Sequence, residues 1–321
     1  MNILYCFNDR FVPQTAASIV SVCENNANED SITFWLAEKE VSDSNAAALV
    51  QLVESYGRKA ETMVIDNLHE YFDFEYDTMG WNEVILTRLL MGEILPETID
   101  RVLYLDGDTI IRGSLSEMYN TDLNNHIVGM ISEPTADMKR RKDLGIADRP
   151  YYNSGVILVD LKKWRANSIG KRLIEFYKEK DGILFCADQD ALNCVLKEEI
   201  IPLSHRYNYF NALYQYNWKY LHKMDRNIPE KEEWLKVHHN PVIIHYLGEE
   251  RPWRKGNRHR YSNDYLDYLS KTQWKDTEKE DGWELYFKAY SLFIAWTYPF
   301  PSVRHTIMNC LIPVVLKFRK K

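Results

Sequence analysis

Two aspartates separated by a glycine, Asp106-Gly107-Asp108, close the apolar run Val102-Leu103-Tyr104-Leu105. Strand alternation sends residues 106 and 108 to the same side, and Gly107 permits a close backbone approach. Paired carboxylates are hard oxygen ligands, suited to Mn²⁺ or Mg²⁺ bridging a diphosphate. Taken alone, such a pair is more often a solvated turn than a metal site, since acids commonly end strands. A second constellation lies far along the chain, where His245 ends the apolar run Pro241-Val242-Ile243-Ile244-His245-Tyr246 and precedes Leu247-Gly248-Glu249-Glu250-Arg251-Pro252-Trp253. A histidine at a strand end can complete a mixed oxygen and nitrogen metal site. Gly248 and Arg251 then offer a backbone amide and a guanidinium to phosphate.

The elements that must hold these residues follow a βαβ rhythm. Apolar runs at 2–6, 32–36, 61–65, 101–105, 127–131, 155–161 and 242–246 read as strands. Helical periodicity covers 14–25, 42–56 with Ser42 as N-cap, 81–95 ended by Pro96, 162–180 and 188–197. A mostly parallel α/β sheet follows, and such sheets bind ligands at the C-terminal edge of their strands. That is where Asp106 and Asp108 fall.

Composition narrows the class. With 321 residues, 45% of them apolar, the chain can bury a sizeable core in one large or two small α/β domains. Its 21 tyrosines and 9 tryptophans serve cores, and also form platforms for sugars and bases. The 5 cysteines form no CxxC pair and no zinc spacing. Residues 1–6 read as a strand rather than a signal peptide, so a reducing, cytoplasmic setting is expected. A net charge of −7 argues against nucleic acid as a partner. The charge is uneven: from residue 282 on, six basic residues face one acid, Glu284, which leaves the remainder at −12.

The chain resembles glycosyltransferase family 8, retaining enzymes that include bacterial lipopolysaccharide and lipooligosaccharide galactosyl- and glucosyltransferases. Four segments carry the resemblance in family order: Tyr5-Cys6-Phe7-Asn8-Asp9, Val102 to Asp108, Tyr152-Asn153-Ser154-Gly155-Val156 and Ala187-Asp188-Gln189-Asp190. His245 to Trp253 makes a fifth. The resemblance implies a GT-A fold, a Rossmann-like sheet that binds a UDP-sugar and a divalent metal, usually Mn²⁺. Asp106, Asp108 and His245 match the metal ligands. Gly248 and Arg251 match the diphosphate contacts, with Arg251 where the family usually has lysine. Arg88 matches a donor-contacting arginine, Cys6, Asn8 and Asp9 the nucleoside loop, and Asn153, Asp188 and Gln189 the reaction centre. Arg10 departs from the family pattern, and Glu133 stands where an aspartate is common near the acceptor.

The implied reaction moves galactose or glucose from UDP to a glycan or lipid-linked acceptor. Retention arises by a covalent intermediate on Asp188 or Asp190, or by same-face attack with the Gln189 amide oxygen stabilising the sugar cation; Gln189 is a poor nucleophile, which favours the second route. Rival readings are a catalytically inactive nucleotide-sugar-binding module and a sugar-phosphate nucleotidyltransferase. The latter needs a glycine-rich basic loop after the first strand, where Phe7 to Phe11 stands. The charged segment 137–143 reads as a lid or as a solvated loop. Residues 1–265 form the catalytic domain. Residues 266–321 form a helical, aromatic and basic segment, expected either to bring the enzyme to the anionic inner face of the cytoplasmic membrane or to pack back on the domain.

Overall fold

The computed structural model describes residues 1–65 and 67–319, with side chains as far as Leu311. Lys317, Arg319, Lys320 and Lys321, the basic end of the tail, lie outside the described side chains. Among the described residues the strands are β1 (Asn2–Asn8), β2 (Thr33–Lys39), β3 (Lys59–Val64), β4 (Arg101–Leu105), β5 (Thr109–Ile111), β6 (Val128–Ser132), β7 (Tyr152–Asp160), β8 (Ile200–Pro202), β9 (Tyr209–Phe210) and β10 (Ile243–His245). Seven of them form one sheet in the order β3-β2-β1-β4-β7-β6-β8. Pairing is parallel except where β7 runs antiparallel to β4 and β6.

Period-two alternation explains why the central strands are apolar throughout. Leu4 and Tyr104 face one core, built with helices Ile169–Glu179 and Ala187–Val195. Ile3, Tyr5, Leu103 and Leu105 face the other, covered by helices Val12–Asn25 and Asp43–Ser55. With both faces covered, neither set of positions is polar. At the edge, β3 is mostly accessible and carries Lys59 and Glu61, which suits a strand with one unpaired side.

The strand read at 242–246 does not join this sheet. It forms a separate three-stranded sheet in the order β5-β10-β9, around a third cluster rich in aromatics. The chain thus leaves the large sheet at Leu105, turns through Asp106-Gly107-Asp108, and enters the small one at Thr109.

Several elements differ from the periodic reading. The helix expected over 81–95 is wound as a 3-10 segment, Glu83–Leu90, followed by one α-turn, Met91–Ile94. Eight residues is long for a 3-10 run, and it carries Arg88. The helix expected over 162–180 is two helices, Leu161–Ala166 and Ile169–Glu179, because Ser168 adopts a left-handed backbone at φ 49°. Ser42 occupies the N-cap position as expected, but its hydroxyl donates to Asp9 Oδ1 at 2.9 Å rather than capping its own helix. The aromatic tail forms helices Glu284–Thr297 and Pro301–Arg319, the second opened by Pro301, whose missing N–H is harmless there.

One buried histidine ties the two sheets together. His205 Nε2 bonds Ser132 Oγ of β6 at 3.0 Å, and its ring packs edge-on against Trp234. Burial pushes its imidazole down to about 4, against an unfolded value of about 6.5. The unfolded chain therefore binds this proton first, so the contribution is complete above about pH 6.5 and disappears as pH falls toward 4. The melting temperature is expected to drop through that window, with a shallower slope in His205→Gln; an unchanged slope in the variant would refute the assignment.

Candidate active site

Strand pairing brings the two ligand constellations together. β10 lies antiparallel to β5 with His245 opposite Thr109, and Tyr246 N donates to Asp108 O at 3.0 Å. His245 Nε2 consequently sits 3.2 Å from Asp108 Oδ1 and 3.8 Å from Asp106 Oδ2. One ligand atom from each of the three residues lies within 4.8 Å of the others. Asp106 is oriented from behind: Tyr104 Oη donates to its Oδ1 at 2.6 Å, and its own N–H donates to Gly155 O at 2.8 Å.

The far side of the histidine is also fixed. His245 Nδ1 bonds Asn208 Oδ1 at 2.9 Å, Asn208 Nδ2 donates to Asn153 Oδ1 at 2.9 Å, and Gly155 N donates to the same oxygen at 3.0 Å. With Asn208 accepting, Nδ1 carries the hydrogen and the Nε2 lone pair is directed at the carboxylates. That is the tautomer a metal-binding histidine needs. Burial pushes the imidazole down, but Asp108 and Asp106 outweigh it and hold it above its usual range. Burial likewise pushes Asp108 up, while His245 and Arg251 hold its carboxyl low. One buried and one half-buried carboxylate facing one imidazole form a donor set that fits a divalent cation.

Behind Asp106 lies Arg88, 4% exposed. Its Nη2 is 2.9 Å from Asp106 Oδ1, its Nε is 3.3 Å from Asp188 Oδ2, and its Nη1 donates to Ser154 O at 2.8 Å. Burial acts to lower its pKa, and the two carboxylates together raise it. Burial pushes Asp188 up to about 6, against the pull of Arg88. Next in the same helix, Gln189 is locked in orientation. Its Oε1 accepts from Ser154 N at 3.0 Å and Asn153 Nδ2 at 3.1 Å, and its Nε2 donates to Glu133 Oε2 at 3.3 Å. Arg88, Asp106, Glu133, Asn153, Asp188, Gln189, His245 and Gly248 line one cavity of about 630 Å³.

Residues 2–256 match the profile of Glycosyl transferase family 8. The chain belongs to this family. It is 25% identical over 279 residues to General stress protein A of Bacillus subtilis (strain 168), covering 85% of this chain and 94% of that one. It is also 25% identical over 285 residues to a lipopolysaccharide 1,2-glucosyltransferase of Escherichia coli (strain K12), covering 88% and 81%. Among solved structures, galactosyltransferase LgtC in complex with donor and acceptor sugar analogs superposes with a TM-score of 0.72 at 22% identity, covering 86% of this chain and 99% of that one. The fold is GT-A, and the chain is a glycosyltransferase.

The other residues of the family 8 pattern occupy distinct places. Arg251 lies 3.7 Å from Asp108 Oδ2, with its guanidinium 5.6 Å from the rings of both Phe11 and Trp253. Gly107 passes so close to Thr15 that a Cβ would stand 2.5 Å from its hydroxyl. Asn8 keeps a buried Oδ1 with no partner among the described residues, a group poised for a ligand donor. Asp9 is otherwise employed: its Oδ1 accepts from Ser42 N at 2.9 Å and Asn45 Nδ2 at 2.8 Å, at the start of helix Asp43–Ser55. Cys6 is 8% exposed and packs in the core with Leu4 and Ala37, apart from the cavity lining. Arg10 reaches Glu280 at 2.9 Å.

Asp190 accepts from Tyr151 Oη at 2.5 Å and Cys186 N at 2.9 Å, and does not line the cavity. Within the charged segment 137–143, Met138–Asp143 is a helix, and Arg140 anchors it over the Tyr151 ring at 4.6 Å. Neither a loop nor an unattached lid describes it. Sequence reading missed Asn208, whose one signal is its place at the start of a short aromatic strand. It also missed the tail helices as cavity walls, since Tyr286, Tyr290, Phe293 and Arg304 all line the cavity.

Gly155 is required by crowding: a Cβ there would meet His245 Cε1 at 2.3 Å and Asp106 Oδ2 at 2.7 Å. Gly155→Ala is expected to spread the metal triad, and Asn208→Ala to release the His245 ring. Each should weaken Mn²⁺ binding by about 10–100-fold, measured by electron paramagnetic resonance titration. Wild-type affinity in both variants would refute this account of the triad.

Proposed function

We propose that this enzyme transfers galactose or glucose, with retention, from a UDP-sugar to a glycan or glycolipid acceptor, using Mn²⁺ or Mg²⁺ held by Asp106, Asp108 and His245. The observation that carries the reading is the close triad of two carboxylates and an oriented imidazole beside the Asn153, Asp188 and Gln189 cluster. When bound, the metal supplies electrostatic stabilisation of the departing diphosphate. Arg251, within reach of Asp108, adds a fixed positive charge on that side.

The same-face route is favoured over a covalent one. Asp188 is ion-paired with the buried Arg88, which spreads its charge and holds it in place, and Asp190 is engaged by Tyr151 and Cys186. Gln189, fixed by Ser154, Asn153 and Glu133, presents an immobile amide to the transferred sugar. Glu133 contacts both Asn153 and Gln189, so its greater reach than aspartate touches the reaction centre itself.

The tail supports peripheral association with an anionic membrane. Leu285, Leu292, Trp296, Tyr298, Phe300 and Val303 are all at least half exposed, an outward apolar face on the two C-terminal helices. No helix among the described residues is long and apolar enough to cross a membrane.

Asp106→Ala and Asp108→Ala are expected to abolish Mn²⁺-dependent release of UDP from UDP-galactose or UDP-glucose. Gln189→Ala should reduce transfer by about 10²-fold or more with a smaller change in donor affinity. Full activity of Asp108→Ala in EDTA would defeat the metal assignment. Trp296→Glu combined with Leu292→Glu should weaken binding to phosphatidylserine vesicles by roughly tenfold or more; unchanged sedimentation with vesicles would remove the membrane role.

A further inference from the structure

The C-terminal helices form part of the cavity wall, and one residue there lacks an anionic partner. Arg304 is 1% exposed and lines the cavity. Its guanidinium lies over the Tyr216 ring at 4.2 Å, and Tyr216 is in turn stacked on Tyr220 at 5.4 Å. Among the described residues its Nε, Nη1 and Nη2 are paired with no carboxylate, and beyond the Tyr216 side chain they have no hydrogen-bond partner.

A guanidinium carries five N–H donors, and a cation–π contact replaces only part of the hydration it has lost. Five carboxylates that line the same cavity are already engaged. Asp106 and Asp188 are held by Arg88, Glu133 by Asn153 and Gln189, Glu249 by Arg254, and Glu250 by Asn211 and Gln215. None of these hydrogen bonds or ion pairs reaches Arg304.

The neighbouring residue shows that this placement is built rather than incidental. His305 Nδ1 accepts from Tyr220 Oη at 2.7 Å, and its Nε2 donates to Thr135 O at 3.0 Å. That clasp fixes the second C-terminal helix against the loop that follows Glu133, so Arg304 belongs to the Glu133 side of the cavity. The metal triad and Arg251 form the diphosphate side. Tyr216, Tyr286, Tyr290 and Phe293, which also line the cavity, give the aromatic faces that sugar rings stack on.

We propose that Arg304 recognises an anionic group on the acceptor, so that the acceptor is a sugar bearing a phosphate or a carboxylate on, or next to, the residue that receives the transfer. The inference rests on the donor and acceptor reading given above, and it names the acceptor's chemistry. A pair formed with a bound anion in this dry setting is charge-assisted and geometrically selective.

The test uses the full chain loaded with UDP and Mn²⁺, titrated calorimetrically with glucose, glucose 6-phosphate and glucuronate. Wild type is expected to bind one of the two charged sugars about tenfold or more tighter than glucose. The preferred one identifies phosphate or carboxylate. Arg304→Gln should lose that discrimination and Arg304→Lys should keep part of it. Arg304→Met, which removes an uncompensated buried charge, should melt at or above the wild-type temperature; a purely structural arginine would show a fall. Equal affinity of wild type for all three sugars, or discrimination that survives in Arg304→Gln, overturns the proposal. The heat of UDP loading reads the donor assignment separately, and the sugar titration repeated without UDP reads Arg304 even if that loading fails.

Discussion

A single buried guanidinium organises the candidate site. Arg88 bridges Asp106, a member of the candidate metal triad, and Asp188, the first acidic residue of the helix that carries Gln189. Asp188 and the arginine are buried and Asp106 is half-buried, a setting in which an unpaired charge is disfavoured. Deleting the arginine would leave the buried Asp188 carboxylate uncompensated, a loss of about 3–5 kcal/mol in comparable pairs. The 3-10 winding of residues 83–90 belongs to the same arrangement, since it is the segment from which Arg88 reaches both acids and Ser154 O. The candidate metal triad and the Asn153, Asp188 and Gln189 cluster are thereby held in one frame, the preorganisation that the proposed transfer would draw on.

The second constraint is a change of sheet. β4 belongs to the large sheet and β5 to the small one, and the DxD segment is the turn between them. Because β10 pairs with β5 rather than with the large sheet, a residue some 140 positions downstream is delivered to within hydrogen-bond range of Asp108. β9, parallel to β10, delivers Asn208 to the other ring nitrogen of the same histidine. Gly155 then lets β7 approach so closely that its backbone caps the triad. Four strands from two sheets thus converge on one imidazole.

The uneven charge of the chain finds two uses in this frame. The acidic body supplies the carboxylates of the cavity, which are held by internal partners such as Arg88, Gln189 and Arg254. The C-terminal helices bring Arg304 into the cavity and turn an apolar face outward. One pair of helices can serve both sides because aromatic and basic residues recur at helical spacing, with Tyr286, Tyr290 and Phe293 inward and Leu285, Leu292 and Trp296 outward.

Local pattern by itself determined the alternation of strand and helix and the boundaries of β4, and it marked Asp106, Asp108 and His245 as candidate ligands that the family resemblance then joined into one triad. The triad was legible because acids and histidines at the ends of apolar runs keep their chemical meaning wherever the chain folds. The family resemblance supplied Arg88, Asn153, Asp188 and Gln189. What pattern could not settle was how side chains divide their hydrogen bonds once packed. Asp9 sits in the nucleoside loop by sequence, yet its Oδ1 caps a neighbouring helix. Ser168 breaks a helix whose apolar spacing continues unbroken. Asn208 and Arg304 carry no local signature, because the first matters only through the pairing of β9 with β10, and the second only through a helix docked some 170 residues away on Thr135. Those positions depend on contacts between distant segments, and only the tertiary structure decided them.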